Sequence, residues 1–155
     1  MDRMKVKELF NSFLEFIPLY HETIGCIYNK DYDIDPNLNK NQRKALFIIK
    51  KNGRIMPSSL GKALDMQKGS LTTLVDSLVE HEFVQRDVDK EDRRKQWISL
   101  TPMGEEYISR LMNCFEQEFE KTFEKVVPED IDNMIKSIDY AKKILTNIKN
   151  IKGQG

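Results

Sequence analysis

A mainly α-helical chain with one small β-hairpin is the fold class this sequence predicts, and three observations carry it. Apolar residues recur at three- and four-residue steps through most of the 155 positions, the mark of amphipathic helices. Residues 84–101 switch instead to alternation on either side of a charged turn, "DKEDRRK", as two short strands would. The charge is also uneven. Residues 39–101 carry 13 cationic and 8 anionic side chains, against 4 and 7 before them and 8 and 10 after. A formal net charge of zero thus conceals a basic middle between acidic ends, which suits a polyanion-facing lobe.

The elements follow in order. Val6, Leu9, Phe10, Phe13, Phe16, Ile17, Tyr20, Ile24 and Ile27 give one long helix with an apolar face, ending near Asn29. "KDYDIDPNLN" is a loop, after which Asn39 and Gln42 form a capping box. That helix buries Ala45, Leu46 and Ile49 and stops at Gly53. Pro57 opens a short helix to Leu64. After "DMQ" comes a second, with Leu71, Leu74, Val75, Leu78 and Val79 inward. Two helices joined so closely make a helix-turn-helix. The hairpin follows at once, with Trp97 on its second strand packing against the lobe. Thr101 caps a long helix carrying Tyr107, Leu111, Phe115, Phe119 and Val126, and Pro128 starts the last one. There Ile131, Met134, Ile138, Ala141, Leu145 and Ile148 are spaced as a heptad seam. The seam can pack on the chain's own first helix. An intermolecular seam that includes Phe10 and Phe13 is favoured, because a small central lobe cannot cover helices this long and apolar.

Several function classes are excluded. With 39% hydrophobic and 32% charged residues the chain is a folded one. No run approaches 18 apolar residues and no signal peptide opens it, so a cytoplasmic protein without a membrane span is expected. Neither "HETIG" nor "HEFVQ" has the second histidine of a zinc protease, and no phosphate loop or metal-ligand spacing occurs. No catalysis, metal or cofactor is expected. His21 and His81 are ordinary helix residues, and Cys26 and Cys114 are buried reduced thiols before they are a disulfide or redox sensor.

The helix-turn-helix and hairpin together point to duplex DNA. At the start of the second helix, Gln67 suits adenine and Lys68 suits guanine or phosphate. Ser70, Thr72 and Thr73 suit phosphate or a thymine methyl, and Gly69 permits close backbone approach. Alone, that face could be solvated surface, and so could a charged hairpin. A charged hairpin directly after a helix-turn-helix is a wing, with Lys90, Arg93, Arg94 and Lys95 as its cations and Asp92 pairing an arginine to shape the tip.

With these features in place, "DKEDRRKQWISLTPMG" resembles the signature of the MarR family of winged-helix transcription regulators, at Asp89, Asp92, Arg93, Arg94, Leu100, Thr101 and Gly104. "SLGKALDMQKGSLTTLVDSLVEHEFVQR" resembles the family's helix-turn-helix, and Gln42 matches a frequent glutamine. The resemblance implies a single chain, 1–155. Residues 38–101 would form the DNA-binding lobe, and 1–30 with 102–150 a helical dimerisation lobe. It further implies a homodimer on a pseudo-palindromic operator, acting as a repressor. Release would come from a small aromatic or anionic ligand held near Phe16 and Tyr20, or from oxidation of a cysteine such as Cys26. Two departures stand out: Thr73 replaces a frequent arginine, and Asp65 replaces the usual turn glycine. The alternative is a helical protein-interaction module that keeps the fold without binding DNA.

Overall fold

The structure is a computed structural model that describes residues 2–89, 91, 92 and 94–152. Its order is α1 (Arg3–Tyr20), a π-helical turn (His21–Gly25), α2 (Cys26–Asn29), α3 (Lys40–Asn52), β1 (Arg54–Ile55), α4 (Pro57–Leu64), α5 (Lys68–Glu80), β2 (Val84–Val88), β3 (Gln96–Leu100), α6 (Pro102–Phe123) and α7 (Pro128–Lys152). The mainly helical fold with a hairpin wing is therefore as the sequence predicts.

The chain divides into two compact units, residues 1–119 and 120–155. The division falls inside α6, whereas the sequence reading divides at 30 and 101. Packing explains the difference: Ile27, Tyr107, Ile108, Leu111 and Phe115 lie in the same buried core as Leu46, Ile49, Leu60, Leu78 and Ile98. The first unit thus needs the end of the first helical stretch and the start of α6 to cover its central lobe.

Within that unit the local signals act as expected. The Asn39 side chain accepts from the amides of Asn41 and Gln42, while Gln42 Oε1 accepts from the Asn39 amide at 2.9 Å. Gln42 Nε2 also donates to Ser77 Oγ at 2.9 Å, tying α3 to α5. The predicted single first helix is instead interrupted by the π turn, three residues past Pro18. α6 ends at Phe123, so Val126 lies beyond it in the turn before α7. His81 is the C-cap of α5 rather than part of it.

One strand escaped the sequence pattern. β1 pairs antiparallel with β3, with Arg54 opposite Ser99 and Ile55 opposite Ile98, and the sheet order is β1-β3-β2. Two residues are too few to show alternation. The hairpin leaves the core at its root: Val84 is buried, whereas Val88 is 56% exposed. At this same root, Thr101 Oγ1 donates to the Glu82 carbonyl and accepts from the Gly104 amide at 3.0 Å. A Cβ on Gly104 would stand 2.0 Å from the Phe83 carbonyl oxygen, so the first turn of α6 lies directly on the β2 root.

α1 has no buried residue, and Leu9, Phe10, Phe13, Leu14, Phe16 and Ile17 are all exposed. In the second unit, Ile138, Leu145 and Ile148 of the heptad seam are exposed, as is Ala141, and Ile131 and Met134 are half-buried. Among the described residues, no helix is long and apolar enough to cross a membrane, and no cluster of His, Cys, Asp or Glu could hold a metal ion.

Candidate nucleic-acid interface

The turn between α4 and α5 depends on Asp65. Its backbone sits at φ 53, ψ 47, in the left-handed region, and the Met66 amide closes the end of α4 on the Gly61 carbonyl at 3.0 Å. Aspartate is one of the few non-glycine residues that enters this region readily. The departure from glycine noted in the sequence therefore leaves the turn geometry intact. Gly61 lets the two helices close up, since a Cβ there would lie 3.1 Å from Leu71 Cδ2.

From this turn α5 presents a continuous exposed face of Gln67, Lys68, Gly69, Ser70, Thr72 and Thr73. Gln67 is the N-cap, and its side chain makes no capping bond. The Thr72 and Thr73 hydroxyls donate back to the carbonyls of Lys68 and Gly69 at 2.9 and 3.3 Å, leaving their lone pairs and methyl groups outward. Nothing lies within 4 Å of a Cβ built on Gly69, so no contact inside the chain requires glycine there. The opposite face of α5 buries Leu71, Leu74, Val75 and Leu78.

The wing is joined to this helix by an ion pair between Arg86 Nη2 and Asp76 Oδ1 at 2.5 Å. Both partners are exposed enough that the pair is worth only about 0.2–1 kcal/mol, and it adds a polar link between β2 and α5 to their shared core. At the tip, Asp92 Oδ1 accepts from the Arg94 amide at 3.1 Å and from Arg94 Nε at 3.3 Å, and Lys95 Nζ lies 3.9 Å from Asp92 Oδ2. The Arg94 side chain is 93% exposed and makes no other ion pair among the described residues. Lys90 and Arg93, the other predicted wing cations, lie outside the described residues.

Sequence reasoning assigned shaping to Asp92 and missed a second acid. Asp89 Oδ1 accepts from the amides of Glu91 and Asp92 at 3.0 and 3.1 Å, and Oδ2 accepts from Trp97 Nε1 at 2.8 Å. The indole bond first, then the two amides, holds its carboxyl well below the usual range, at about 2. Trp97 is therefore committed to the tip, and Arg54 lies over its ring at 4.4 Å from the centroid. Trp97 is half-buried, and the packing against the lobe that the sequence predicts is made through Arg54 of β1. The motif residue Asp89 was the available signal, since an aspartate two residues before another amide donor commonly closes such turns.

Between α4, α5 and the outer half of the wing lies a cleft of about 790 Å³. Lys62, Lys68, Arg86, Arg94 and Lys95 line it against a single acid, Asp65. The exposed start of α5 and the wing thus flank a strongly cationic groove, although the molecule as a whole is neutral.

A second cavity, of about 410 Å³, lies in the same compact unit among Tyr20, His21, Tyr28, Arg43, Lys44, Phe47 and Phe115. Of the two predicted ligand residues Tyr20 lines it; Phe16 does not, but stacks on Tyr20 with ring centroids 6.1 Å apart. The wall is aromatic, with Phe115 stacked on Phe47 at 5.4 Å and edge-on to Tyr28 at 5.1 Å. Burial, and then Tyr20, push the Tyr28 phenol above its ordinary value, so it stays a neutral hydrogen-bond donor. Arg43, unforeseen from sequence, is buried; its Nη1 donates to the Lys30 carbonyl at 3.1 Å and its Nε has no hydrogen-bond partner among the described residues. Cys26 is exposed, not buried, because it faces out from the short helix after the π turn, where its Sγ donates to the Thr23 carbonyl at 3.2 Å. Cys114 is half-buried, and both thiols are free.

Comparison with known proteins agrees with this geometry. The model of the MarR family matches residues 38–95, from the loop before α3 to the wing. A curated relative, the uncharacterised HTH-type transcriptional regulator YdgG of Bacillus subtilis, is 25% identical over 144 residues, covering 92% of this chain and 93% of its own. The crystal structure of RV1404 from Mycobacterium tuberculosis matches with a TM-score of 0.70 at 19% identity, covering 93% of this chain and 95% of that one. A mutant MarR from E. coli, solved with operator DNA, matches with a TM-score of 0.60 at 21% identity, over 86% of this chain and 97% of that one. At such identities the structural likeness speaks for the fold, and the sequence matches carry the relationship. The signature, the helix order and these matches agree: the MarR family model fits residues 38–95 of this chain, and the chain is similar along most of its length to an HTH-type regulator.

Proposed function

We propose that the protein is a transcriptional regulator that binds a pseudo-palindromic operator in duplex DNA as a homodimer in the cytoplasm, and acts as a repressor released by a small ligand. The observation that carries this reading is the exposed Gln67–Thr73 face beside the Arg94-bearing wing, with a groove lined by five cations between them. A helix of this size fits the major groove, where Gln67, Lys68, Ser70, Thr72 and Thr73 meet base edges and phosphates. Arg94, held by Asp92 but exposed, reaches the adjacent minor groove with Lys95 nearby. The names of curated relatives as HTH-type transcriptional regulators support the same reading.

The homodimer is supported by α1, whose phenylalanines and leucines are exposed, and by the exposed seam of α7. A second copy would bury Phe10 and Phe13 together with Ile131, Met134, Ile138, Ala141, Leu145 and Ile148. The ligand site is supported by the aromatic cavity and its buried Arg43, which together suit a small aromatic anion.

Binding to duplex measured across a salt series tests the reading. Affinity should fall steeply with salt as phosphate-bound counterions are released. Arg94→Ala should lower both the affinity and the steepness, the latter by about one unit of slope, with dimerisation unchanged. A flat salt response would favour the interaction module instead. Loss of peroxide-induced release in Cys26→Ser would favour the redox alternative over the ligand.

A further inference from the structure

The wing is a hairpin of two five-residue strands whose outer half has left the core. A hairpin this short is marginally stable by itself, so something must hold the tip where Arg94 is useful. Among the described residues its backbone supplies two bonds across the turn, Asp89 N–H to the Lys95 carbonyl at 2.9 Å and Lys95 N–H to the Asp92 carbonyl at 2.8 Å. Side chains add to this order. Asp89 gathers the Glu91 and Asp92 amides on one oxygen and the Trp97 indole N–H on the other. The Trp97 ring is in turn faced by Arg54. Arg54 opens β1, directly after the Gly53 cap of α3, and β1 pairs with β3 on the side away from β2. A continuous path therefore runs from the end of α3, through Arg54 and the indole, to Asp89, Asp92 and Arg94.

We propose that Arg54 and Trp97 are positioning residues for DNA recognition: the guanidinium stacked on the indole, and the indole N–H bound to Asp89, anchor the wing tip to the α3 end of the lobe. This rests on the reading that the wing meets duplex DNA. Arg54 has a competing use, since an exposed arginine near the groove could bind a phosphate directly. The two uses differ in what they do to the salt dependence. Removing a phosphate contact lowers the slope by about one, whereas loosening the tip weakens binding at every salt concentration alike. Asp89 is ionised at any ordinary pH, so the anchor is present throughout the working range.

The test uses the full chain and a duplex selected from fragments of the source genome. Trp97→Phe keeps an aromatic ring for Arg54 and removes only the indole N–H. It should weaken binding several-fold with the wild-type salt slope, and it should speed hydrogen exchange at the Glu91 and Asp92 amides. Arg54→Ala should weaken binding with the same unchanged slope and make the single tryptophan more accessible to acrylamide quenching. Arg54→Lys, which keeps a cation over the ring, should recover part of both effects. Unchanged exchange at the tip amides in Trp97→Phe would overturn the proposal, and so would a slope lowered by about one in Arg54→Ala. If the wild-type chain bound no duplex, the proposed function would fall; the exchange and quenching measurements would still decide whether this path orders the tip.

Discussion

Gly69 and Gly104 both stand in the first turn of a helix and hold that residue type for opposite reasons. At Gly104 the chain itself leaves no room, because a Cβ would stand 2.0 Å from the Phe83 oxygen. Gly104→Ala should therefore force the first turn of α6 off the β2 root and destabilise the fold by about 1–3 kcal/mol, read as a lowered melting temperature. At Gly69 the space is open. Gly69→Ala should raise stability, by up to about 1 kcal/mol, yet weaken duplex binding, since the extra methyl would face the groove of the DNA. An unchanged affinity in Gly69→Ala would argue that this end of α5 does not approach the bases. The motif made Gly104 visible in the sequence but not the carbonyl it serves. Arg43 was invisible altogether, because nothing in a lysine- and arginine-rich helix distinguishes the cation that turns inward.

At the scale of elements, the wing and α1 make separate predictions. The wing's tip depends on an ionised Asp89, whose carboxyl is depressed from 3.8 to about 2 in the folded protein. A depressed carboxyl contributes its stability above the unfolded value and loses it as the pH falls through the folded one. Tip order, followed by Trp97 emission, should thus persist above about pH 4 and decline between there and pH 2. A tip that loosened between pH 7 and 5 would contradict this placement of Asp89. α1 carries the test of assembly. Burying a phenylalanine against a partner contributes about 1.5–3 kcal/mol, and a two-fold interface contains each residue twice. Phe13→Glu should convert the dimer to monomer in sedimentation at concentrations where the wild type stays associated. The helices, caps and hairpin were legible because periodicity and capping are local. The π turn, β1 and the anchoring of Trp97 were not: β1 and Trp97 depend on neighbours distant in sequence, and no local pattern marks the π turn.

For the whole molecule, the proposed ligand site and the proposed DNA groove share one helix. Both lie in the compact unit formed by residues 1–119, and α3 borders the cavity through Arg43 and Phe47 while bonding α5 through Gln42 and Ser77. A ligand that prefers one arrangement of α3 would shift the recognition face, with a coupling of about 1–3 kcal/mol. Benzoate, used as a small aromatic anion, should raise the melting temperature of the wild type and weaken its grip on duplex. Arg43→Gln should abolish both effects; a shift that survived in Arg43→Gln would place the anion elsewhere. By itself the sequence determined the helices, the wing, the signature and the charge pattern, because side-chain period, turn chemistry and capping are properties of neighbouring residues. Only the tertiary structure decided that the central lobe borrows the end of the first helical stretch and the start of α6 for its core. The same holds for the turning of Arg43 into an aromatic cavity and for the path from Arg54 to the wing tip. Burial and long-range hydrogen bonds depend on which segments meet in space, and no local pattern in the chain encodes that meeting.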